Sequence, residues 1–356
     1  MSSIHEVAKQ AGVSTATVSR TFNTPGLLNA QTHQRVLEVA HRLDYRPNRG
    51  RARKSGGQPA AGKTTGTQEA FIGFQFFAQT PTDLLQSNAF YAPILAGAQS
   101  EAASTNLHLM LHTTDRHQMT QGLPKMVSEQ AIAGMLLVGT ADPEILTAFL
   151  EHVPQIVLVD NRDATGKHDC IVSDGLGGIL EATRYLFELG HQRLGFLLDD
   201  MQVVTFQDRL RGFVCAHFER GLSVQPSQII SSGPEDDIRV RIREFLLSPD
   251  RPTALVVAND MLALEVMQAC RELGVRIPEE LSLVGFDDIE FSAQFWPPLT
   301  TVRVNKDLMG RLAVSRLQMR LQAEDNSLEA IPPITLEVPV SLIERQSCRR
   351  LSSSRH

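Results

Sequence analysis

From residue 70 onward, short apolar runs alternate with longer stretches in which apolar side chains recur every three or four positions. The short runs predict strands at 70–74, 107–112, 134–138, 155–159, 170–173, 193–198, 228–231, 254–258, 281–286 and 336–339. The longer ones predict amphipathic helices at 94–104, 143–151, 178–189, 209–220, 238–247, 261–273 and 306–322. Apolar strands interleaved with such helices imply parallel sheets covered on both faces. That many strands are too many for one comfortable open sheet. The expected body is therefore α/β, two doubly wound parallel-sheet lobes with a ligand cleft between them.

The first fifty residues follow a different rhythm, helical throughout. Ser3 with Glu6 three residues on forms a capping box, and Ile4, Val7, Ala8 and Ala11 share one apolar face. Gly12 supplies the left-handed exit, Val13 can plug the gap between helices, and Ser14 caps a second helix. Turn chemistry at Asn23-Thr24-Pro25-Gly26 precedes Asn29, which caps a third helix over 30–43 with Val36, Leu37, Val39, Ala40 and Leu43 on its face. Helix, glycine turn, helix is the geometry that lays a second helix in a DNA major groove. The expected division is a small all-α helix-turn-helix head over 1–48, a basic flexible linker over 49–69, a two-lobed body over 70–345 and a disordered tail over 346–356.

Charge sharpens that division. The chain as a whole carries −6, but residues 1–63 hold ten Lys and Arg against three Asp and Glu. A basic head on an acidic body implies a polyanionic partner confined to the amino end. No apolar run approaches a membrane span of ~18–20 residues. The amino end opens into the capping box without an apolar signal core, which predicts a cytoplasmic protein. Cys170, Cys215, Cys270 and Cys348 are scattered without a CxxC pair, so free thiols are expected, with no metal site and no disulfide framework. An enzyme is not expected either: GxSxG, HExxH and P-loop motifs are absent and the histidines are dispersed. Asp174-Gly175-Leu176-Gly177-Gly178 imitates a dinucleotide motif, but Leu180 stands where its third glycine belongs, and no cofactor is expected.

Ligands of doubly wound sheets sit beyond the carboxyl ends of the strands. Those ends carry Phe76 and Phe77, Asp160 with Arg162, Asp174, Asn259 and Asp287, while Arg209 is expected to begin a helix after the loop 199–207. Asp, Asn and Arg together suit a polyhydroxylated ligand, because carboxylates accept from vicinal hydroxyls and Arg donates two parallel bonds. Aromatic rings cover an apolar ring face.

The motifs VAKQAGVSTATVSR (7–20), NAQTHQRV (29–36) and YRPN (45–48) resemble the DNA-binding head of the lactose/galactose/purine repressor family. The likeness continues in order through Asn88-Ala89-Phe90-Tyr91, Val159-Asp160-Asn161-Arg162, Gly190-His191-Gln192-Arg193-Leu194, Arg209-Leu210-Arg211-Gly212-Phe213, Ala258-Asn259-Asp260, Val284-Gly285-Phe286-Asp287-Asp288 and Pro297-Pro298-Leu299-Thr300-Thr301-Val302. It implies a homodimer or tetramer on a pseudo-palindromic operator in double-stranded DNA. It also implies a small effector, usually a sugar or its phosphate and sometimes a purine, that alters DNA affinity from the cleft. By resemblance Thr15, Ala16 and Arg20 face base edges, with Arg20 able to pair bidentately with guanine. His5, Ser14, Thr17, Ser19, Asn23, Asn29 and Thr32 resemble phosphate-contact positions, joined by Tyr45, Asn48, Arg49 and Arg51. Arg209, Asn259 and Asp287 are the leading effector-pocket residues, followed by Asp160, Phe90 and Tyr91.

The linker departs from the family pattern. Where that pattern has a short helix with a minor-groove leucine wedge, this chain has Arg51 and Lys54 at the Ala and Leu positions and Gly50 inside. Contact through charge, by Arg49, Arg51, Arg53 and Lys54, is the expectation here. An alternative reading follows from the same feature: a DNA-binding member with weak or no small-molecule response.

Overall fold

The structure, a computed structural model, describes residues 4–15, 17–18, 21, 30–43, 70–78, 84–117, 122–232, 237–323 and 331–351. The chain divides into two compact units, Met1–Gly66 and Thr67–His356.

In the first unit a helix spans Ile4–Ala11, Thr15, Thr17, Val18 and Thr21 are helical, and a further helix spans Ala30–Arg42. Gly12 takes the left-handed conformation (φ +65°) that turns the chain between the first two helical stretches. Ser14 caps the second, its Oγ accepting from Thr17 N at 3.1 Å. Val7, Ala8, Ala11, Val18, Val36, Val39 and Ala40 form one buried cluster, with Val13 and Leu43 packed against it. Leu37, expected on the inner face, is 39% exposed. It follows Val36 by about 100° of helical turn, which carries it off a narrow stripe. Ser3 and the whole expected linker, 49–69, lie outside the described residues.

The second unit contains two six-stranded sheets. The first lobe runs β1 (Ala70–Ala78), α1 (Tyr91–Ser104), β2 (Leu107–Asp115), α2 (Lys125–Ser128), β3 (Gly134–Val138), α3 (Pro143–His152), β4 (Ile156–Val159) and β5 (Asp169–Ser173). The second lobe runs α4 (Gly175–Glu188), β6 (Leu194–Leu197), α5 (Val204–Glu219), β7 (Ile229–Ile230), α6 (Ile238–Leu247), β8 (Ala254–Val257), α7 (Asp260–Leu273), β9 (Ser282–Asp287) and β10 (Thr300–Val304). The chain then returns through α8 (Lys306–Gln322) and β11 (Thr335–Val338) to the first lobe, and ends with β12 (Val340–Ile343) in the second. Strand orders are β11-β5-β4-β3-β1-β2 and β12-β10-β9-β8-β6-β7. All pairs are parallel except β10 with β12. Each sheet therefore has its topological switch between its first and third strands, the place where doubly wound folds open a crevice.

Two strands, β10 and β12, escaped the hydrophobic pattern, because Arg303 interrupts one run and polar Ser341 the other. Helix α5 begins at Val204, one turn and more before Arg209, which thus sits within the helix instead of starting it. The expected disordered tail from residue 346 does not hold for 346–351. Ser347 is fully buried and its Oγ donates to Leu283 O at 2.6 Å while accepting from Thr300 N at 2.8 Å. Leu351 N donates to Leu189 O at 2.8 Å. These backbone partners lie on the second lobe, so the tail is fixed by long-range hydrogen bonds that local composition does not announce.

Helices α1 and α8 meet at Gly97 and Gly310. A Cβ on Gly97 would lie 2.0 Å from Asp307 O, and one on Gly310 would lie 2.0 Å from Ile94 O. Backbone against backbone leaves nothing to rotate away. Gly97→Ala and Gly310→Ala should each lower stability by about 1–3 kcal/mol, the cost of overpacking, although Ala in a helix interior ordinarily stabilises by about 1 kcal/mol over Gly. Urea denaturation midpoints check this; an unchanged or higher midpoint would show that the helices separate freely.

Candidate functional sites

At the carboxyl ends of the strands a cavity of about 660 Å³ opens, lined from both lobes. The first lobe contributes Phe77 from β1, Phe90 and Tyr91 at the start of α1, Arg116 and Asp160. The second contributes Thr205, Phe206 and Arg209 from α5, Asn259, and Asp287 at the end of β9.

Local structure explains how each side chain is placed. Asn88 Oδ1 accepts from Phe90 N at 3.0 Å and Tyr91 N at 2.9 Å, fixing the start of α1. The Tyr91 hydroxyl then donates to Asp160 Oδ2 at 2.8 Å. Burial, with Asp160 beside it, holds the Tyr91 pKa well above the usual phenol value, so it stays a donor. Asn259 caps α7, accepting from Leu262 N at 2.8 Å through Oδ1. Asp160 (φ +56°), Asp287 (φ +115°) and Asp288 (φ +48°) all lie in the left-handed half of backbone space. Such strain in non-glycine residues clusters where a site must be held in shape.

Arg209 is 2% exposed and is the electrostatic centre of the second lobe. Its Nη1 donates to Ala258 O, Nη2 lies 3.5 Å from Asp287 Oδ1, and the guanidinium stacks 3.9 Å over the Phe286 ring. Behind it Asp260, fully buried, accepts from Thr301 Oγ1 at 2.6 Å and from Ile289 N at 3.0 Å. Burial and the nearby Asp287 push Asp260 up to about 8. Burial also pushes Asp287 up to about 7, against the opposing pull of Arg209 and Lys306. Lys306, first residue of α8, reaches the carbonyls of Asp287, Asp288 (3.1 Å) and Val304 (3.4 Å) and so braces the strained turn. Three buried polar atoms bordering the cavity have no hydrogen-bond partner: Asp160 Oδ1, Asp287 Oδ1 and Arg209 Nε. Buried groups left unmatched are costly, and these three could be matched by a polar molecule in the cavity.

Of the expected pocket residues, Phe90, Tyr91, Asp160, Arg209, Asn259 and Asp287 line this cavity together. Phe76 does not. It is fully buried behind the site, its ring centroid 5.0 Å from that of Tyr91, and Phe77 takes the lining position. Strand β1 is buried on both faces, so alternation could not say which phenylalanine faces the cleft. Arg162 pairs instead with Asp208 at 2.7 Å and Glu337 at 2.6 Å. Asp174 caps α4, accepting from Gly177 N at 2.8 Å. The glycines after it lie in the first turns of that helix, where a Cβ on Gly178 would collide with Val340, Val302 and Phe286. Arg116, Thr205, Phe206 and Lys306 carry no local sequence signal for a site, and Asp260 lies in the motif 258–260 without being distinguished there; only the tertiary arrangement collects them.

In the head, Thr15, Thr17 and Thr32 are half-buried, and Ser14 and Thr17 share a hydroxyl hydrogen bond of 2.9 Å at the start of the second helical stretch. His5 lies on the first helix. Ala16, Ser19, Arg20, Asn23, Asn29, Tyr45, Asn48, Arg49 and Arg51 lie outside the described residues. Among the described residues no group of three or more His, Cys, Asp or Glu could hold a metal ion, and no helix is long and apolar enough to cross a membrane.

A carboxyl with a raised folded-state pKa binds more protons folded than unfolded between its two pKa values, so stability falls as pH rises through that window. Asp287 contributes this loss between about 4 and about 7. Asp287→Asn removes the titration. Its melting temperature relative to the parent protein should therefore rise with pH across that window and level off above it. Calorimetry from pH 4 to 8.5 reads this directly, and a constant difference would place the Asp287 pKa in the ordinary range.

Residues 3–48 match the model of bacterial regulatory proteins of the lacI family, and residues 183–348 match a periplasmic binding protein-like domain. The chain is 30% identical over 357 residues to the HTH-type transcriptional repressor PurR of Haemophilus influenzae, covering 99% of this chain and 100% of that protein. It is 30% identical over 355 residues to PurR of Escherichia coli, covering 98% and 97%. Among solved structures it resembles the lac repressor dimer bound to operator and the anti-inducer ONPF (TM-score 0.64, 25% identity, 98% and 99% covered). The fold also matches that of a CelR–cellobiose complex (TM-score 0.67, 23% identity, 98% and 100% covered). With a helix-turn-helix head, a two-lobed body and relatives matched along nearly their whole length, the chain belongs to the LacI family of bacterial regulatory proteins, and it is a sequence-specific DNA-binding transcriptional regulator, not an enzyme.

Proposed function

We infer that this regulator is a repressor that acts in the cytoplasm, binds a pseudo-palindromic operator as a homodimer or tetramer, and changes its operator affinity when a small polyhydroxylated ligand of the sugar class occupies the cleft. The observation that carries this reading is the cavity between the lobes, where Asp160, Arg209, Asn259 and Asp287 converge with unmatched polar atoms. The domain roles follow: 1–48 reads DNA, 49–69 links, and the body from residue 70 senses the ligand and self-associates. Self-association is supported by large apolar side chains left in solvent on the second lobe away from the cavity, with Trp296 and Phe218 each 80% exposed. The linker positions Gly50, Arg51 and Lys54 support a second reading, in which DNA binding responds weakly or not at all to a small molecule.

At the DNA, Arg20 reads a guanine, and Thr15 and Ala16 meet thymine methyl groups. The phosphate contacts fall to His5, Ser14, Thr17, Ser19, Asn23, Asn29, Thr32, Tyr45, Asn48, Arg49 and Arg51. Selection of bound sequences from a random duplex library should yield a site with twofold pseudo-symmetry. Arg20→Ala should then relax one base position per half-site and weaken binding to the selected site by about 1–3 kcal/mol. A selection without enrichment overturns sequence-specific reading by this head.

Replacing Arg49, Arg51, Arg53 and Lys54 together by Ala should make the plot of log affinity against log salt shallower by several units, at about 0.9 for each phosphate no longer neutralised. An unchanged slope would remove the linker from the interface.

A further inference from the structure

The polar groups of the cleft are unevenly matched, and the imbalance discriminates among ligands. Arg116 and Arg209 are the cations among the described residues that line the cavity, and both are already paired, with Arg209 Nε left without a hydrogen bond. Arg209 faces Ala258 O and Asp287, with one guanidinium face against Phe286. Arg116, from the turn after β2 in the first lobe, is held across the cleft by Asp200 in the second at 2.6 Å, and its Nε donates to His117 at 2.9 Å. Lys306, close by, is engaged with backbone carbonyls. The carboxylates have more to spare. Asp160 Oδ1, on the first lobe, is buried without a hydrogen-bond donor, and Asp287 Oδ1, on the second, has only the 3.5 Å approach of Arg209 Nη2.

We propose that the cleft selects an uncharged polyol over its phosphate ester, and that Asp200 is the specificity-determining residue, because it neutralises the one lining cation a phosphate would otherwise meet. This rests on the cleft being the effector site. A hydroxyl-rich neutral molecule supplies donors to the carboxylate oxygens of Asp160 and Asp287 that lack hydrogen bonds, and an acceptor to Arg209 Nε. The phosphoryl group of an ester supplies only acceptors where the parent sugar has a hydroxyl, and beside Asp160 and Asp287 it would meet like charge in a low-dielectric site whenever those carboxyls are ionised. Recognition of phosphate calls for a free guanidinium fork or a second unpaired cation, and the Arg116–Asp200 pair removes that option. The same pair joins the lobes, so Asp200 also holds the geometry in which discrimination is made.

The test uses the full-length protein and matched pairs of probes: D-ribose with ribose 5-phosphate, D-glucose with glucose 6-phosphate, and cellobiose and hypoxanthine as unpaired members. Thermal shift identifies binders and calorimetric titration at pH 7.5 gives affinities. The expected result is a neutral sugar that binds at least tenfold more tightly than its phosphate. Asp200→Ala should narrow that ratio at least threefold by strengthening the phosphate, and adding Arg116→Ala should restore it. Rejection by size alone would not respond to Asp200→Ala, and Asp200→Asn serves as the isosteric check if the alanine variant folds poorly by circular dichroism. A wild-type protein that binds the phosphate as tightly as the sugar, binds hypoxanthine alone, or binds none of the probes overturns the proposal. An unchanged ratio in both Asp200 variants overturns the role of Asp200. Operator selection by the head is measured separately and would stand under any of these outcomes.

Discussion

Arg209 is the residue on which the second lobe's half of the cleft depends. A guanidinium almost fully removed from water must be matched on every side, and here a helix (α5), the end of β8 and the end of β9 supply the partners. The match is incomplete, since Arg209 Nε and Asp287 Oδ1 lack hydrogen bonds. A buried ion pair is weak evidence for stability, because desolvation offsets most of the attraction. Its physical role is positional: it fixes where β9 ends relative to α5, and therefore where Asp287 stands.

The first lobe solves the matching problem with a neutral donor. Tyr91 reaches Asp160 with a hydroxyl that burial keeps protonated, and Asn88 locks the helix start that carries Tyr91. Both key carboxylates sit at positive φ, one at the end of each lobe's strands. Lys306 leaves the second lobe's β10 to start the helix that packs on the first lobe, and it holds the carbonyls of the strained turn as it does so. The crossing segment and the candidate site thus share contacts. The turn that carries Asp287 is thereby tied through Lys306 to a segment that crosses between lobes.

Cross-cleft pairs add to this arrangement. Arg116 with Asp200 and Arg162 with Asp208 each join a loop of the first lobe to the second, close to the cavity. Partly exposed pairs of this kind contribute little to global stability. Their effect falls on the relative placement of the two lobes, where even a small bias shifts the population.

Periodicity alone determined a large part of this protein. The expected spans 134–138, 238–247 and 306–322 coincide with β3, α6 and α8, and the two-lobed, parallel architecture followed from their alternation. Local chemistry also placed the left-handed Gly12 and the Ser14 cap, because a turn and a cap involve only near neighbours. Six of the seven expected pocket residues were legible from strand ends and motif order. The choice of Phe77 over Phe76 was not, since both sides of β1 are buried and side-chain alternation then carries no sign. Tertiary structure also decided that Asp174 is a cap, that Arg162 serves a salt bridge, and that residues 346–351 are fixed along the second lobe. Above all it engaged Arg116 with Asp200, eighty-four residues apart, and left Asp160 and Asp287 with unmatched oxygens. Hydrogen bonding and burial are properties of three-dimensional neighbours, and a chain that returns through three crossings between lobes makes those neighbours out of residues that its sequence keeps far apart.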